Sequence, residues 1–565
     1  MSQISLSQKL WKKSGEFSEE KTLFENFCTL RGKSENEFVP PVFEDLLDPF
    51  LFSDAEKTVK IIFDAIEKKE RIMIFGDYDL DGMSGSAILF LGLKTLGAQV
   101  SYRLPSRADG YGLSEKFIQD AHSHDVKVFI TTDCGISNFK EVENAKKLGM
   151  KFIITDHHSI PDQIPNYDAA WHPLLPTENF PDKDLTGAGV AWYFCAALLR
   201  RKFGAENSRK IEEELLELAV LGTVADCGSL RGENRKITIL GLDHLKNTKN
   251  SGLQALLKSS GTHPEKLTAE SIGFFLGPRL NAAGRLAHPK TSLELLLGDA
   301  GKAEELEKLN RERQDMVKIF VEEAEAQLVL NNTKEFAATI VASEEWLAGV
   351  IGLISGKLAE RYGKPTIAFA ILEDKITGSC RGPENFNIVE TIRKINKKNP
   401  EYFFGFGGHA EAAGLSLHPE YFQDFCLAYN EEVKNIRGEN PEPPFLKYDA
   451  ELPRKITTAE IKELQQKAQP FGIGNPSPLF KFSGLEVVKI KTVGKDNTHL
   501  SLFLKAEYKN ATEFLSGIFF QAGEFSDKIQ VGDTLDVLAL PTINEWQGKE
   551  SISLQIKDLR KIIES

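Results

Sequence analysis

The sequence predicts an α/β protein: a parallel-sheet domain is joined by a long helix to a smaller α/β domain, and an OB-like β-barrel follows. Three observations carry this. Short apolar runs alternate with helix-forming stretches between about 55 and 230, the pattern of a parallel sheet wrapped by helices. A charged stretch at 300–332 has no proline and, after Gly301, no glycine. Beyond the break Asn440-Pro441-Glu442-Pro443-Pro444 the composition turns β-like.

Taken in order, residues 1–50 read as a small amphipathic segment. The parallel-sheet domain is placed at 51–300. Its pattern predicts helices at 57–68, 84–96, 116–123 and 139–148, strands at 72–75, 100–104, 128–130 and 152–154, and a long acidic helix at 207–224. The stretch 301–332 is read as a connecting helix rather than an ordinary surface helix, because a new α/β pattern starts after it. That second unit, 333–440, has strands at 338–342 and 366–370, a helix at 352–361, and a glycine-rich end, Gly405-Phe406-Gly407-Gly408-His409. Within 445–565, strands at 485–490, 499–504, 512–520, 534–539 and 551–556 suit a small barrel, with a nucleic-acid-binding OB-fold the candidate.

A chain of 565 residues is too long for one core. The net charge of −13 excludes a strongly basic coat for DNA, although local patches decide binding. No apolar run reaches the roughly eighteen residues of a membrane span and no signal peptide is visible, so neither export nor a membrane is expected. Cys28, Cys134, Cys195, Cys227, Cys380 and Cys426 form no CxxC pair, which points to a reducing cytoplasm and away from a zinc ribbon.

Four clusters stand out. Asp77-Tyr78-Asp79-Leu80-Asp81-Gly82, Asp133 and Asp156-His157-His158 each follow an apolar run, and Asp226 ends the acidic helix. Strand ends in an open α/β sheet converge on one crevice. Carboxylates gathered there repel one another unless cations intervene, so divalent metal is expected, as two ions. The first cluster superficially matches the opening of a calcium-binding loop, but that loop needs a bidentate Glu at its twelfth position, and Ile88 stands there. Ser84, Gly85, Ser86 and Ala87 allow close packing, or close approach of an anion, at a helix start. Carboxylates with neutral imidazole favour Mn²⁺ or Mg²⁺. Taken singly, Asp133 has a turn or N-cap residue as its minority alternative, Asp226 could be a C-terminal cap, and a lone histidine pair is more often structural; only the set carries the argument. No GxxxxGK[ST] loop is present, so no ATP site is expected. The glycines at 405–408 fail as a dinucleotide fingerprint because no helix with a suitably placed acid follows.

Gly76-Asp77-Tyr78-Asp79-Leu80-Asp81-Gly82, Thr132-Asp133-Cys134-Gly135, Asp156-His157-His158 and Ala225-Asp226 resemble motifs I to IV of the DHH phosphoesterase superfamily. Four later segments are similar to its single-strand-specific 5′→3′ DNA exonucleases, the RecJ family: the run 277–285 (GPRLNAAGR), Gly378-Ser379-Cys380-Arg381, Gly407-Gly408-His409 and the run 470–476 (PFGIGNP). The resemblance spans about 40 to 560, with its motifs in order.

The resemblance implies metal-dependent hydrolysis of single-stranded DNA to 5′-mononucleotides, in recombination and repair. It implies that Asp79, Asp81, Asp133, His157 and Asp226 ligate Mn²⁺ or Mg²⁺, with Asp133 bridging two ions and taking part in catalysis. Asp77 would ligate or orient, and His158 would contact the scissile phosphate. Where many superfamily members carry His this chain has Phe75, which would make Asp77 the substitute ligand. Arg107, Arg279, Ser379, Arg381 and His409 resemble contacts to DNA and its terminal phosphate. Tyr111, Phe386 and Trp546 are candidates to stack bases, with core packing the commoner fate of such residues. Expected partners are single-stranded DNA, a single-strand-binding protein and a separate helicase; the expected state is a monomer. The rivals are a phosphoesterase acting on short oligonucleotides, a cyclic dinucleotide or pyrophosphate, and a scaffold that has lost its chemistry.

Overall fold

The computed structural model describes residues 4–109, 112–330, 336–384, 386–438, 443–508 and 511–562. Tyr111 and the side chain of Trp546 lie outside the described residues. The chain forms two compact units, one of residues 41–439 and 472–475, the other of residues 1–40, 440–471 and 476–565.

The first unit contains a parallel sheet of β1 (Arg71–Gly76), β2 (Gln99–Arg103), β3 (Val126–Thr132), β4 (Lys151–Thr155) and β5 (Ala169–Trp171), in the order β2-β1-β3-β4-β5. Successive side chains go to opposite faces. Ile72, Ile74, Val128, Ile130 and Ile153 enter one core, whereas Met73, Phe75, Phe129, Phe152 and Ile154 enter another. Burial on both faces is why these strands read as continuous apolar runs. The strand order reverses between β1 and β3, and that reversal opens a crevice at their carboxyl ends.

Helices α1 (Leu80–Thr95), α2 (Gly187–Phe203) and α3 (Ala205–Ala225) pack together on one side. Ser84 and Ser86 are fully buried, so the small residues at the start of α1 serve close packing. Neither β5 nor α2 was predicted. Residues 187–199 of α2 are buried on every side, and such a helix has no amphipathic period to read. Further on, α4 (Gly277–Leu286) precedes the long α5 (Lys302–Leu330). Leu306 of α5 joins the first core, and Val317, Val321, Ala324 and Leu328 join the core of the second domain.

That domain is a mixed sheet of β6 (Thr339–Ser343), β7 (Thr366–Ile371), β8 (Ile376–Arg381), β9 (Phe403–Gly408) and β10 (Ala412–Leu417), ordered β9-β10-β8-β7-β6. Helices α6 (Ile351–Tyr362) and α7 (Ile388–Lys398) pack with it. Phe386 is buried in its core and cannot offer a face to a base.

In the second unit, β11 (Phe480–Val493), β12 (His499–Tyr508), β13 (Ala511–Phe519), β14 (Thr534–Trp546) and β15 (Lys549–Lys561) run in the order β11-β12-β13-β15-β14, and β14 pairs back to β11. The sheet thereby closes as a five-stranded barrel, with β13 and β15 parallel. Leu10–Lys13 pairs in parallel with Phe445–Tyr448, so the first forty residues fold with the barrel.

Candidate metal centre and phosphate pocket

The crevice receives its acids from four elements. After β1 the chain turns through Asp77 and Asp79 into α1. Asp79 caps that helix, its Oδ1 accepting from the backbone N–H of Asp81 (3.0 Å) and Gly82 (3.2 Å). Asp81 is fully buried, and its two oxygens accept from the N–H groups of Gly187 (2.7 Å) and Ala188 (2.9 Å) at the start of α2. A helix N-terminus favours a carboxylate there. Gly82 admits the turn: a Cβ would lie 2.6 Å from the Asp77 nitrogen. Asp133 follows β3 with φ +60°, and its N–H donates to the Thr155 carbonyl (2.9 Å). Gly187 lies against it, where a Cβ would come within 2.7 Å of the Asp133 Cβ. Asp226 is the C-cap of α3.

His157 Nε2 lies 3.1 Å from Asp133 Oδ1, 3.7 Å from Asp81 Oδ2 and 3.8 Å from Asp226 Oδ2. Three trios each bring one donor atom per residue within 4.8 Å of one another: Asp77, Asp79 and Asp133; Asp81, His157 and Asp226; Asp133, His157 and His158. Asp133 belongs to two of them. The buried atoms Asp77 Oδ1, Asp133 Oδ1 and His157 Nε2 have no hydrogen-bond partner among the described residues. Buried polar atoms without partners are costly, and a shared cation would satisfy them. Phe75 turns into the far core, its ring tilted against Phe117 at 5.0 Å between centroids, so no imidazole is missing from a vacant position.

Asp156 does not join the trios. Its Oδ1 accepts from the His157 and His158 N–H groups (2.7 and 3.2 Å) and pairs with His158 Nδ1 at 2.8 Å, while Oδ2 accepts from Ile136 N–H (3.0 Å). Burial works against ionisation of Asp156, but His158 and these donors outweigh it and hold the carboxyl below its usual range. Burial would also lower His158, but the Asp156 hydrogen bond and charge raise it to about 9. Burial, with the neighbouring His158, pushes His157 down to about 4, which keeps it neutral as a ligand must be.

Burial, then the Asp79 charge, raises Asp77 to about 8 and Asp226 to about 7. Burial, then Asp226 for Asp81 and Asp81 for Asp133, raises the other two carboxyls well above the ordinary range. Carboxyls raised from 3.8 stabilise the metal-free fold most at low pH, and lose that contribution as pH climbs through their folded values. His157, being depressed, acts only below its ordinary 6.5. In the window from about 6.5 to 8 the raised carboxyls and His158, itself raised from 6.5 to about 9, lose stabilisation together as pH climbs. Metal-free protein should show a thermal midpoint that falls across that window, and Mn²⁺ should remove the fall while releasing protons. Differential scanning fluorimetry with and without chelator reads this; a metal-free midpoint that rises with pH would contradict it.

Sequence profiles match three stretches of the chain: the DHH family, N-terminal domain over residues 71–223, the DHHA1 domain over 333–435 and the RecJ OB domain over 448–558. The chain is 34% identical over 532 residues to the single-stranded-DNA-specific exonuclease RecJ of Salmonella typhimurium, covering 90% of each protein. The chain belongs to the RecJ family. It is also 34% identical over 522 residues to RecJ of Bacillus subtilis, spanning 91% of this chain but 64% of that longer protein. The crystal structure of RecJ in complex with Mn²⁺ from Thermus thermophilus matches with a TM-score of 0.79 at 26% identity, over 98% of this chain and 80% of that one.

Beside the carboxylates this RecJ-family chain gathers cations. Arg107 lies over the Tyr78 ring (4.3 Å to its centroid) and donates through Nε to the Gly284 carbonyl (2.9 Å). Arg285 donates to the Gly349 carbonyl (3.0 Å). Arg381 donates to the Cys380 carbonyl (2.7 Å) and reaches Ser379 Oγ at 3.3 Å, with Gly352 of α6 packed against both side chains. Arg313 of α5 donates to Asn310 Oδ1 (2.9 Å), and its buried Nε has no partner among the described residues. Burial, then the charges of Arg107, Arg313 and Arg381, lowers Arg285 to about 10. Among the described residues none of these four guanidinium groups forms an ion pair. Clustered, half-buried cations without carboxylates suit an anion such as a phosphate.

Arg279 stands apart: Glu307 holds its Nε at 2.6 Å and the Phe275 carbonyl accepts from it at 2.7 Å. His409, at the end of the edge strand β9, lies near enough for its charge to add to the lowering of His157. Three residues escaped the sequence reading. In the sequence Arg285 is one more residue of the run 277–285, Arg313 lies in a helix dense with surface charge, and Asp156 reads as one more acid of a cluster. The repeated arginine of the run 277–285 was the available signal for Arg285.

Proposed function

We propose that this chain hydrolyses single-stranded DNA from the 5′ end, releasing 5′-mononucleotides, with two divalent cations held between Asp77, Asp79, Asp81, Asp133, His157 and Asp226. The observation that carries this reading is the shared membership of Asp133 and His157 in adjoining donor trios, with buried atoms that lack partners among the described residues. Oxygen donors with one imidazole fit Mn²⁺ or Mg²⁺, and the Thermus relative was crystallised with Mn²⁺. Such ions, when bound, supply an acidified water and screen the phosphate charge from it.

The protein's own groups do the rest. His158, kept protonated by Asp156, holds a non-bridging oxygen of the scissile phosphate. Arg107, Arg285, Arg313 and Arg381, with Ser379, take the terminal 5′-phosphate and so set which bond lies over the metal centre. On the barrel's outer face Phe503 and Phe514 are exposed and stacked (5.6 Å between centroids, 6° between planes). Lys489 lies opposite Phe503, and Lys505 opposite Phe514. Aromatic faces flanked by ammonium groups suit an unpaired strand. Boundaries near 51–300, 301–332, 333–440 and 445–565 are the domain division that goes with this reading. A role in recombination and repair, action as a monomer alongside a helicase and a single-strand-binding protein, and a cytoplasmic setting belong to the same proposal. No helix among the described residues is long and apolar enough to cross a membrane.

The test uses purified protein, Mn²⁺, and labelled single-stranded, duplex and dinucleotide substrates. The expected result is stepwise release of 5′-mononucleotides from the 5′ end of long single strands, abolished by chelator. The Arg285→Ala variant should lose about tenfold or more of the preference for a 5′-phosphate over a 5′-hydroxyl end. Cleavage of dinucleotides with long strands untouched would instead favour an oligonucleotide phosphoesterase.

A further inference from the structure

Strand β2 (Gln99–Arg103) ends the five-stranded parallel sheet: it pairs with β1 and, among the described residues, with no other strand. An edge strand turns outward a row of backbone N–H and C=O groups that a further strand can take up. This edge is open to solvent, with Gln99, Ser101 and Arg103 exposed and Val100 and Tyr102 half-buried. Two cavities, of about 650 and 670 Å³, meet along it and share Phe90, Ser101, Tyr102 and Arg103. Successive residues of β2 go to opposite faces of the sheet. Val100 and Tyr102 pack on the side of α1, where the Tyr102 ring stands edge-on to Phe90 at 5.3 Å between centroids. Arg103 goes to the other side and pairs with Asp120.

The walls of both cavities are cationic. Arg71, Lys94, Arg103, Lys290 and Lys302 line them, against two carboxylates, Asp120 and Glu294. Glu294 is shared between Lys290 (3.5 Å) and Lys302 (3.2 Å). Arg71 donates to the His124 carbonyl (2.8 Å), Lys94 lies over the Phe90 ring (5.6 Å to its centroid), and neither forms an ion pair among the described residues. This local excess runs against the net charge of −13 carried by the whole chain. Edge strands are commonly guarded by charge. A guard of one sign disfavours basic and apolar strands, and attracts an acidic one.

We propose that β2 is a docking edge for an extended acidic segment of a partner protein, which adds to the parallel sheet as a further strand. The backbone of the segment takes up the outward N–H and C=O groups of β2. Its apolar side chains lie on Phe90, Val100 and Tyr102, and its carboxylates meet Arg71, Arg103 and Lys94. A peptide suits this edge better than a nucleic-acid strand does, because a phosphodiester backbone offers acceptors for the N–H groups but no donors for the carbonyls. No residue of the metal crevice takes part, so the docking edge stands independently of the proposed nuclease activity.

The test uses the whole protein and three short fluorescent peptides with blocked ends: alternating Glu and Val, the same sequence N-methylated at every residue, and alternating Lys and Val. Fluorescence anisotropy at low salt should show binding of the Glu–Val peptide, with the other two at least about tenfold weaker. Amide hydrogen exchange, followed by mass spectrometry, should slow across residues 99–103 when the Glu–Val peptide is bound. Arg71→Gln with Arg103→Gln, and separately Lys94→Gln with Lys290→Gln, should each weaken binding by about fivefold or more while the thermal midpoint stays near that of wild type. Absence of binding by the Glu–Val peptide overturns the proposal. So does an N-methylated peptide that binds like its parent, since charge alone would then be the attraction. Binding that both variants retain, or exchange at 99–103 that does not change, also overturns it. A short DNA single strand that displaces the peptide in chelator, and is itself weakened by both pairs of substitutions, would make the edge a nucleic-acid track and likewise overturn it.

Discussion

Replacing Asp133 by asparagine is expected to lower phosphodiester hydrolysis by at least about a thousandfold while leaving the fold intact. Asp133 is the residue common to the trio with Asp77 and Asp79 and the trio with His157 and His158. Its Oδ1 is buried, lies 3.1 Å from His157 Nε2 and has no hydrogen-bond partner among the described residues. Asparagine keeps the shape but not the charge, so it cannot serve cations on both sides. The fold should survive because burial and the Asp81 charge already disfavour an ionised Asp133 in the metal-free protein. Alanine at the same position should give the same loss. Bound Mn²⁺ per chain, measured by elemental analysis after gel filtration, should drop together with the rate. A variant that hydrolyses DNA at the wild-type rate would remove Asp133 from the centre.

His158→Ala should cost about 10² to 10⁴ in rate, the range for loss of a group that donates or shares a proton with the reacting phosphate. Asp156→Asn should cost about tenfold, and it carries a second signature. The Asp156 charge and hydrogen bond raise His158 to about 9 against burial, which lowers it. Without that charge the imidazolium loses its proton at lower pH. The alkaline limb of kcat/KM should therefore move toward neutrality in Asp156→Asn. A limb that stays in place, or moves to higher pH, would show that Asp156 merely packs there.

Much of the centre was legible because strand-end chemistry is local. Asp77, Asp79 and Asp81 follow one apolar run, Asp133 another and His157 a third, and parallel strands bring such ends together. The arginines were not legible in the same way. Arg279 and Arg285 lie six residues apart on one helix, so at about 100° per residue they leave it in widely different directions. Which of them is held by a carboxylate depends on how that helix packs against α5, where Glu307 claims Arg279. Asp156 was visible as an acid, yet its oxygens face the N–H groups of Ile136, His157 and His158. Such a choice is made by the path of a loop, which composition does not encode. Helix α2 left no period to read because it is buried all round, although its first N–H groups orient Asp81.

By itself the order of residues determined the parallel sheet, the chain of domains and the set of acids and histidines gathered at strand ends. These follow from periodicity and from chemistry a few residues long. The tertiary structure alone decided which carboxylates face one another and which face backbone, and which arginine is spent on an ion pair. Those outcomes depend on the angle at which helices from distant parts of the chain cross, and packing of the whole molecule sets that angle.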